Sequence, residues 1–157
     1  METLLDQILV KIEKVSELYQ RLIITVAPLG GGKTSTLQEL GRHFGVPVLN
    51  VNLELSRKML DLTERQRILQ LPKLLNELVN GIKGGLAILD NIEILFDVSL
   101  KQDPLRLLQG ISRNKTIVVA WNGSIDENNL IYAKPDHPEY QRYSAKDLLI
   151  VTPEKME

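Results

Sequence analysis

The residues best suited to chemistry begin with the run Ala27-Pro-Leu-Gly-Gly-Gly-Lys33-Thr34. A small residue, four variable positions and then Gly-Lys-Thr is the spacing of a phosphate-binding P-loop, here with alanine in place of the first glycine. In such a loop successive backbone N–H groups point at phosphate oxygens, and a helix start adds its partial positive charge. Lys33 is expected to neutralise the β- and γ-phosphates and Thr34 to ligate Mg²⁺. Pro28, Leu29, Gly30, Gly31, Gly32 and Ser35 complete the nucleotide-binding stretch, so the expected cofactors are ATP and Mg²⁺.

A magnesium nucleotide needs an acid at the end of a neighbouring strand. Leu86-Ala-Ile-Leu-Asp90 provides one, and Asp90 is the second expected metal ligand. Many P-loop ATPases place a glutamate next, which polarises the attacking water, but the residue here is Asn91 and the nearest acid is Glu93. An amide orients water but is a poor base. Three outcomes follow: Glu93 takes the role, hydrolysis is slow, or a partner supplies the group. Asn122 follows another apolar strand and stands where a polar sensor would meet the γ-phosphate. Lys33, Asp90, Asn91, Glu93 and Asn122 are therefore the candidate catalytic residues. Arg106 and Arg113 flank the helix before that strand and are candidate arginine fingers across a subunit interface. His137 has no second histidine nearby and is expected to pack or hydrogen-bond rather than bind a metal.

These groups need a scaffold that brings strand ends together. Leu22–Val26, Leu86–Leu89, Thr116–Trp121 and Leu148–Val151 are short apolar runs that suit buried strands. Val48–Leu53 alternates, with Asn50 and Asn52 on one face, which suits a half-covered strand near a sheet edge. Helical patterns cover Leu4–Tyr19, Thr34–Phe44, the stretch from Thr63 to Asn80, and Pro104–Ser112. Thr63 and Gln66 have capping-box spacing, and Pro72 is expected to kink or split that helix. Alternating strands and helices predict an α/β fold: a three-layer P-loop sandwich with a five-stranded, mostly parallel sheet. The strand between the P-loop and Asp90 predicts the additional-strand, AAA-like layout, without room for a helical lid domain. The organisation expected is a single domain over 1–157, with an amphipathic helix in 1–20 and a polar insertion or lid over 122–144.

Composition bounds the partners. At 157 residues with 43% hydrophobic and 25% charged residues, the chain has enough apolar material for one packed core. The net charge of −1 offers no general attraction to DNA or anionic membranes, so any DNA contact is expected to be indirect. With no cysteine there is no disulfide framework or thiolate site. No apolar run is long enough to cross a bilayer, and a cytoplasmic location without membrane contact is expected.

Beyond the P-loop, four stretches are distinctive: Asn50-Val-Asn-Leu-Glu-Leu55, Leu62-Thr-Glu-Arg-Gln-Arg-Ile-Leu-Gln-Leu-Pro72, Leu89-Asp-Asn-Ile-Glu-Ile-Leu-Phe-Asp97 and Lys101-Gln-Asp-Pro-Leu-Arg-Leu-Leu-Gln-Gly110. With them the chain resembles the BrxF family, the small P-loop proteins of type 3 BREX bacteriophage-defence systems, from the P-loop to at least Tyr140. The resemblance implies work beside a large ATPase, an adenine-specific DNA methyltransferase and an alkaline-phosphatase-like protein. Two functions are compatible with it: an ATP-hydrolysing subunit whose nucleotide state controls assembly, including a nucleotide-dependent homo-oligomer, or a nucleotide-binding scaffold with little turnover. A small-molecule kinase is a third reading. It needs several arginines in the lid, whereas 122–144 holds only Arg142.

Overall fold

The computed structural model describes residues 3–26 and 33–152, the side chain of Lys33 excepted. The segment 27–32, which carries the glycine-rich part of the P-loop, lies outside the described residues.

The first helix, α1 (Leu4–Val15), starts at a capping box in which Thr3 and Asp6 satisfy each other's backbone N–H groups. It ends at Val15, four residues short of the predicted Tyr19, because the chain turns there with Leu18 N–H donating to Val15 C=O. Strand β1 (Leu22–Val26) is buried along its whole length. Helix α2 (Lys33–Phe44) follows and stops at Gly45, whose φ of +67° is a left-handed conformation that glycine adopts without a side-chain clash.

Beyond Gly45 the expected strand Val48–Leu53 is halved. Only β2 (Val48–Asn50) is extended, and the chain then coils into α3 (Val51–Met59). The alternation of Asn50 and Asn52 reflected helix-start chemistry rather than a strand face, since Asn50 Oδ1 accepts the Leu53 N–H as the N-cap of α3.

Helix α4 (Glu64–Asn80) begins at the predicted Thr63–Gln66 capping box and runs as one helix through Pro72. Proline at 72 cannot donate to the Ile68 carbonyl. Gln102 Nε2 takes that place at 2.9 Å, which satisfies the freed acceptor without splitting the helix. Strand β3 (Leu86–Asp90), helix α5 (Pro104–Ile111), strand β4 (Thr116–Trp121) and strand β8 (Leu149–Val151) complete the core elements.

The predicted lid is a folded unit. Strands β5 (Gly123–Asp126), β6 (Asn129–Tyr132) and β7 (Gln141–Ser144) form an antiparallel meander, a small sheet separate from the main one. Alternate residues of β6, Leu130 and Tyr132, face inward and are buried, so the meander has an apolar side and packs as a cap.

The main sheet has five strands, all parallel, in the order β2-β3-β4-β1-β8. Inserting β4 between the P-loop strand β1 and the acid-bearing β3 is the additional-strand layout that the sequence predicted. Three layers result. One face of the sheet, through Ile23, Ile88, Val118 and Ala120, packs on α1 and α2. The other, through Ile24, Leu89, Val119 and Trp121, packs on α3, α4, α5 and the meander. β2, at one edge, is half-covered as its alternation suggested.

Candidate nucleotide site

In an open parallel sheet, ligands collect beyond the carboxyl ends of the strands, where the order reverses. Here β1, β4 and β3 lie side by side and deliver α2, Asn122 and Asp90 to that end. The N-terminus of α2 adds partial positive charge on the β1 side.

Thr34 and Asp90 meet although 56 residues separate them. The Thr34 hydroxyl donates to Asp90 Oδ2 at 3.1 Å. Asp90 is buried, and its other oxygen accepts the Asn91 N–H at 2.9 Å. A hydroxyl and a buried carboxylate held this close offer two hard oxygen ligands to one small cation, and Mg²⁺ ordinarily takes its remaining ligands from phosphates and water. The donor set therefore fits Mg²⁺. No group of three or more His, Cys, Asp or Glu side chains suited to a metal occurs among the described residues.

Asn91 adopts φ +53°, a left-handed conformation that asparagine tolerates better than most residues. The amide residue after Asp90 thus has a backbone reason to be there. The turn it makes leads into a single 3-10 turn, Glu93–Phe96, anchored by the buried Ile92 and Leu95. This turn points Glu93 at β4: Asn122 Nδ2 donates to Glu93 Oε1 at 2.8 Å. Glu93 Oε2 is buried without a hydrogen-bond partner among the described residues. One oxygen of the carboxylate is thereby fixed and the other is left to accept.

Around this pair sits an aromatic cluster. Phe96 stacks on Tyr132, with ring centroids 3.6 Å apart and planes 10° from parallel, and both rings meet Trp121 edge-on. Trp121 Nε1 donates to Ile131 C=O, and Tyr143 O–H donates to Asp103 at the start of α5. Burial, with the Glu93 charge nearby, pushes the Tyr132 hydroxyl up to about 12. Burial, with Asp103 as hydrogen-bond partner, raises Tyr143 as well. Tyr132 is thus a buried packing residue.

The remaining candidates separate. Ser35 is exposed in the first turn of α2. Pro28, Leu29, Gly30, Gly31, Gly32 and the Lys33 side chain fall outside the described residues. Arg106 is exposed near the start of α5 and, among the described residues, pairs with Asp103 at 3.9 Å. Arg113 lies at the opposite end of the sheet: its guanidinium covers the Tyr19 ring at 5.2 Å, and its carbonyl accepts from Arg21 just before β1. Arg113 is therefore remote from the site of its own chain. His137 Nδ1 accepts the Glu139 N–H at 3.0 Å, the local hydrogen-bonding role expected of it.

Sequence reasoning missed Asn52, Phe96 and Tyr132 as parts of the site. Asn52 was hidden in an apparent strand, and the aromatic pair becomes visible only once β4 and the meander are placed.

No family model matches the sequence, and no curated protein matches it. Among solved structures the fold is similar to a DNA replication initiation factor (16% identity, 94% of this chain and 44% of that one, TM-score 0.49). It is also similar to C. elegans PCH-2 (18% identity, 78% and 37%, TM-score 0.42) and to AMPPCP-bound DnaA from Aquifex aeolicus (18% identity, 74% and 36%, TM-score 0.44). This chain spans less than half the length of each. What the described residues establish by themselves is an α/β, additional-strand P-loop fold in which Thr34, Asp90, Glu93 and Asn122 lie at the carboxyl ends of three adjacent strands.

Proposed function

We propose that the protein binds ATP with Mg²⁺ and hydrolyses it slowly, as a nucleotide-dependent switch subunit of a BREX-type phage-defence complex. The observation that carries the nucleotide part is the 3.1 Å contact between Thr34 and Asp90, which unites the two halves of a magnesium-nucleotide site from distant parts of the sequence. The defence assignment rests on the sequence resemblance to BrxF.

When bound, Mg²⁺ would be held by Thr34 and Asp90 and would neutralise phosphate charge. Lys33 and the amides of the loop add to that neutralisation. Glu93, held by Asn122 through Oε1, accepts a proton from water through Oε2. Asn122 stands between the P-loop strand and Glu93 and senses the terminal phosphate. Slow turnover follows from two features: the residue after Asp90 is an amide on a left-handed turn, and Arg113 lies over Tyr19 at the end of the sheet opposite the site of its own chain. Acceleration then requires a cation from a second copy or from another BREX component, such as the large ATPase, the methyltransferase or the phosphatase-like protein.

The test measures binding of a fluorescent ATP analogue and steady-state phosphate release, alone and with each partner, for wild type, Lys33→Ala and Asp90→Asn. Binding that both substitutions weaken, with release stimulated by one partner, is expected. Binding unaffected by Lys33→Ala would refute the nucleotide reading. Normal binding with no release above the Lys33→Ala background under any condition would leave a nucleotide-binding scaffold. Failure to co-purify with any BREX component would remove the defence assignment.

A further inference from the structure

The turn that carries Glu93 is secured from outside its own strand. Asn52, in the first turn of α3, makes two hydrogen bonds to it. Its backbone N–H donates to the Asn91 carbonyl at 2.8 Å, and its Oδ1 accepts the Ile94 N–H at 2.7 Å. Both donors belong to the unsatisfied N–H groups found at helix starts, one from α3 and one from the 3-10 turn. That 3-10 turn has no side-chain cap of its own at Ile92. Asn52 supplies the cap in trans along the chain, and its two bonds bracket Ile92 and Glu93.

We infer that Asn52 is the positioning residue for Glu93: it clamps the 91–94 turn so that Glu93 Oε1 reaches Asn122 and Oε2 is left to accept from water. The inference rests, for its catalytic consequence, on the role proposed above for Glu93. The geometry supports it from both sides. The left-handed turn at Asn91 needs support to persist, and the clamp provides it at the carbonyl of that same residue. At the far end of the 3-10 turn, Phe96 is fixed by its stack on Tyr132, so Glu93 lies between two anchors and has little freedom except at its own side chain. A plain structural role would predict only a loss of stability when Asn52 is replaced. A positioning role predicts a specific change at Asn122.

The test uses the full chain with Asn52→Leu, which keeps the shape but not the acceptor, and Asn52→Asp, which keeps the acceptor. The side-chain amide of Asn122 is followed by two-dimensional ¹⁵N–¹H NMR and assigned by its disappearance in Asn122→Asp. Phosphate release is measured in parallel. Asn52→Leu is expected to move the Asn122 amide signal towards that of a solvated asparagine and to lower kcat about tenfold or more, with KM within about twofold, because small misplacements of a reacting group cost rate rather than binding. Asn52→Asp is expected to hold the amide signal and recover most of the rate. An unmoved Asn122 signal in Asn52→Leu, or an Asn52→Asp variant that behaves like Asn52→Leu, overturns the inference. If wild type releases no phosphate, or if Glu93→Gln releases it as wild type does, the reading of Glu93 fails instead, and the NMR comparison still decides whether Asn52 sets the Glu93–Asn122 contact.

Discussion

Replacing Asn122 by alanine removes the hydrogen bond that holds Glu93 Oε1 at 2.8 Å and leaves both oxygens of the carboxylate without a donor among the described residues. Hydrogen bonds to charged groups contribute roughly 1.5–3 kcal/mol, and an abandoned partner adds its own desolvation cost. Asn122→Ala should therefore lower stability by about 2 kcal/mol at neutral pH. For a domain of this size that corresponds to a fall of roughly 4–8 °C in Tm. Glu93→Gln keeps the shape and accepts the same donor through an uncharged oxygen, so it should cost less. The decisive quantity is the coupling energy from a double-mutant cycle of Asn122→Ala and Glu93→Ala, measured by urea unfolding followed through Trp121, the only tryptophan. Each single variant also loses packing, but the cycle cancels those losses. A coupling of about 1–3 kcal/mol is expected, with turnover falling by at least tenfold in Asn122→Ala. A coupling within about 0.5 kcal/mol of zero would show that the contact does not order Glu93, and the proposed division of labour between its two oxygens would fall with it.

Three further outcomes are expected. Tyr132 is raised to about 12, so its folded-state value lies above its ordinary one of 10; the neutral phenol is what the fold favours. Its contribution is complete below pH 10 and is lost as pH climbs towards 12, with Tyr143 raised in the same sense, so alkaline unfolding should begin in the meander and be delayed in Tyr132→Phe, as read by near-UV circular dichroism. At Gly123 a Cβ would overlap the Ile131 carbonyl and approach Trp121 Nε1 to 2.7 Å; Gly123→Ala should destabilise by about 1–3 kcal/mol and redshift Trp121 emission. Lys115 is buried and its ammonium donates to the Val79 and Ile82 carbonyls at the C-terminal end of α4, while burial lowers its pKa. Lys115→Ala should cost about 1–3 kcal/mol in chemical unfolding, and a stability equal to wild type would mean that desolvation of the ammonium cancels its hydrogen bonds.

Much of this protein is written locally. The P-loop spacing, the strand ending in Asp90, the capping box at Thr63 and the apolar strands each depend on residues within a few positions of one another, and local spacing reports on phosphate chemistry, capping and burial. The layer architecture follows too, because alternating strands and helices have few ways to bury their apolar faces. Composition likewise set the outer limits: no described helix is long and apolar enough to cross a membrane.

What local pattern could not separate were competing uses of the same residues. Asn50 and Asn52 alternate as a strand would, yet they cap and clamp helix starts, a choice made by where α3 must leave the sheet edge. Pro72 reads as a break, yet Gln102, thirty residues later, takes the carbonyl it frees. The polar stretch after Asn122 reads as a lid, yet Trp121, Tyr132 and Tyr143 turn it into a packed meander. Arg113 flanks the same strand as Asn122 in sequence, yet the direction of β4 places it at the opposite end of the sheet, over Tyr19. The sequence alone marked the two parts of a candidate nucleotide site, because each part is a short motif of neighbouring residues. Only the tertiary structure decided that Glu93 is held beside Asn122, because that pairing depends on β4 lying between β1 and β3 and on a turn braced from α3.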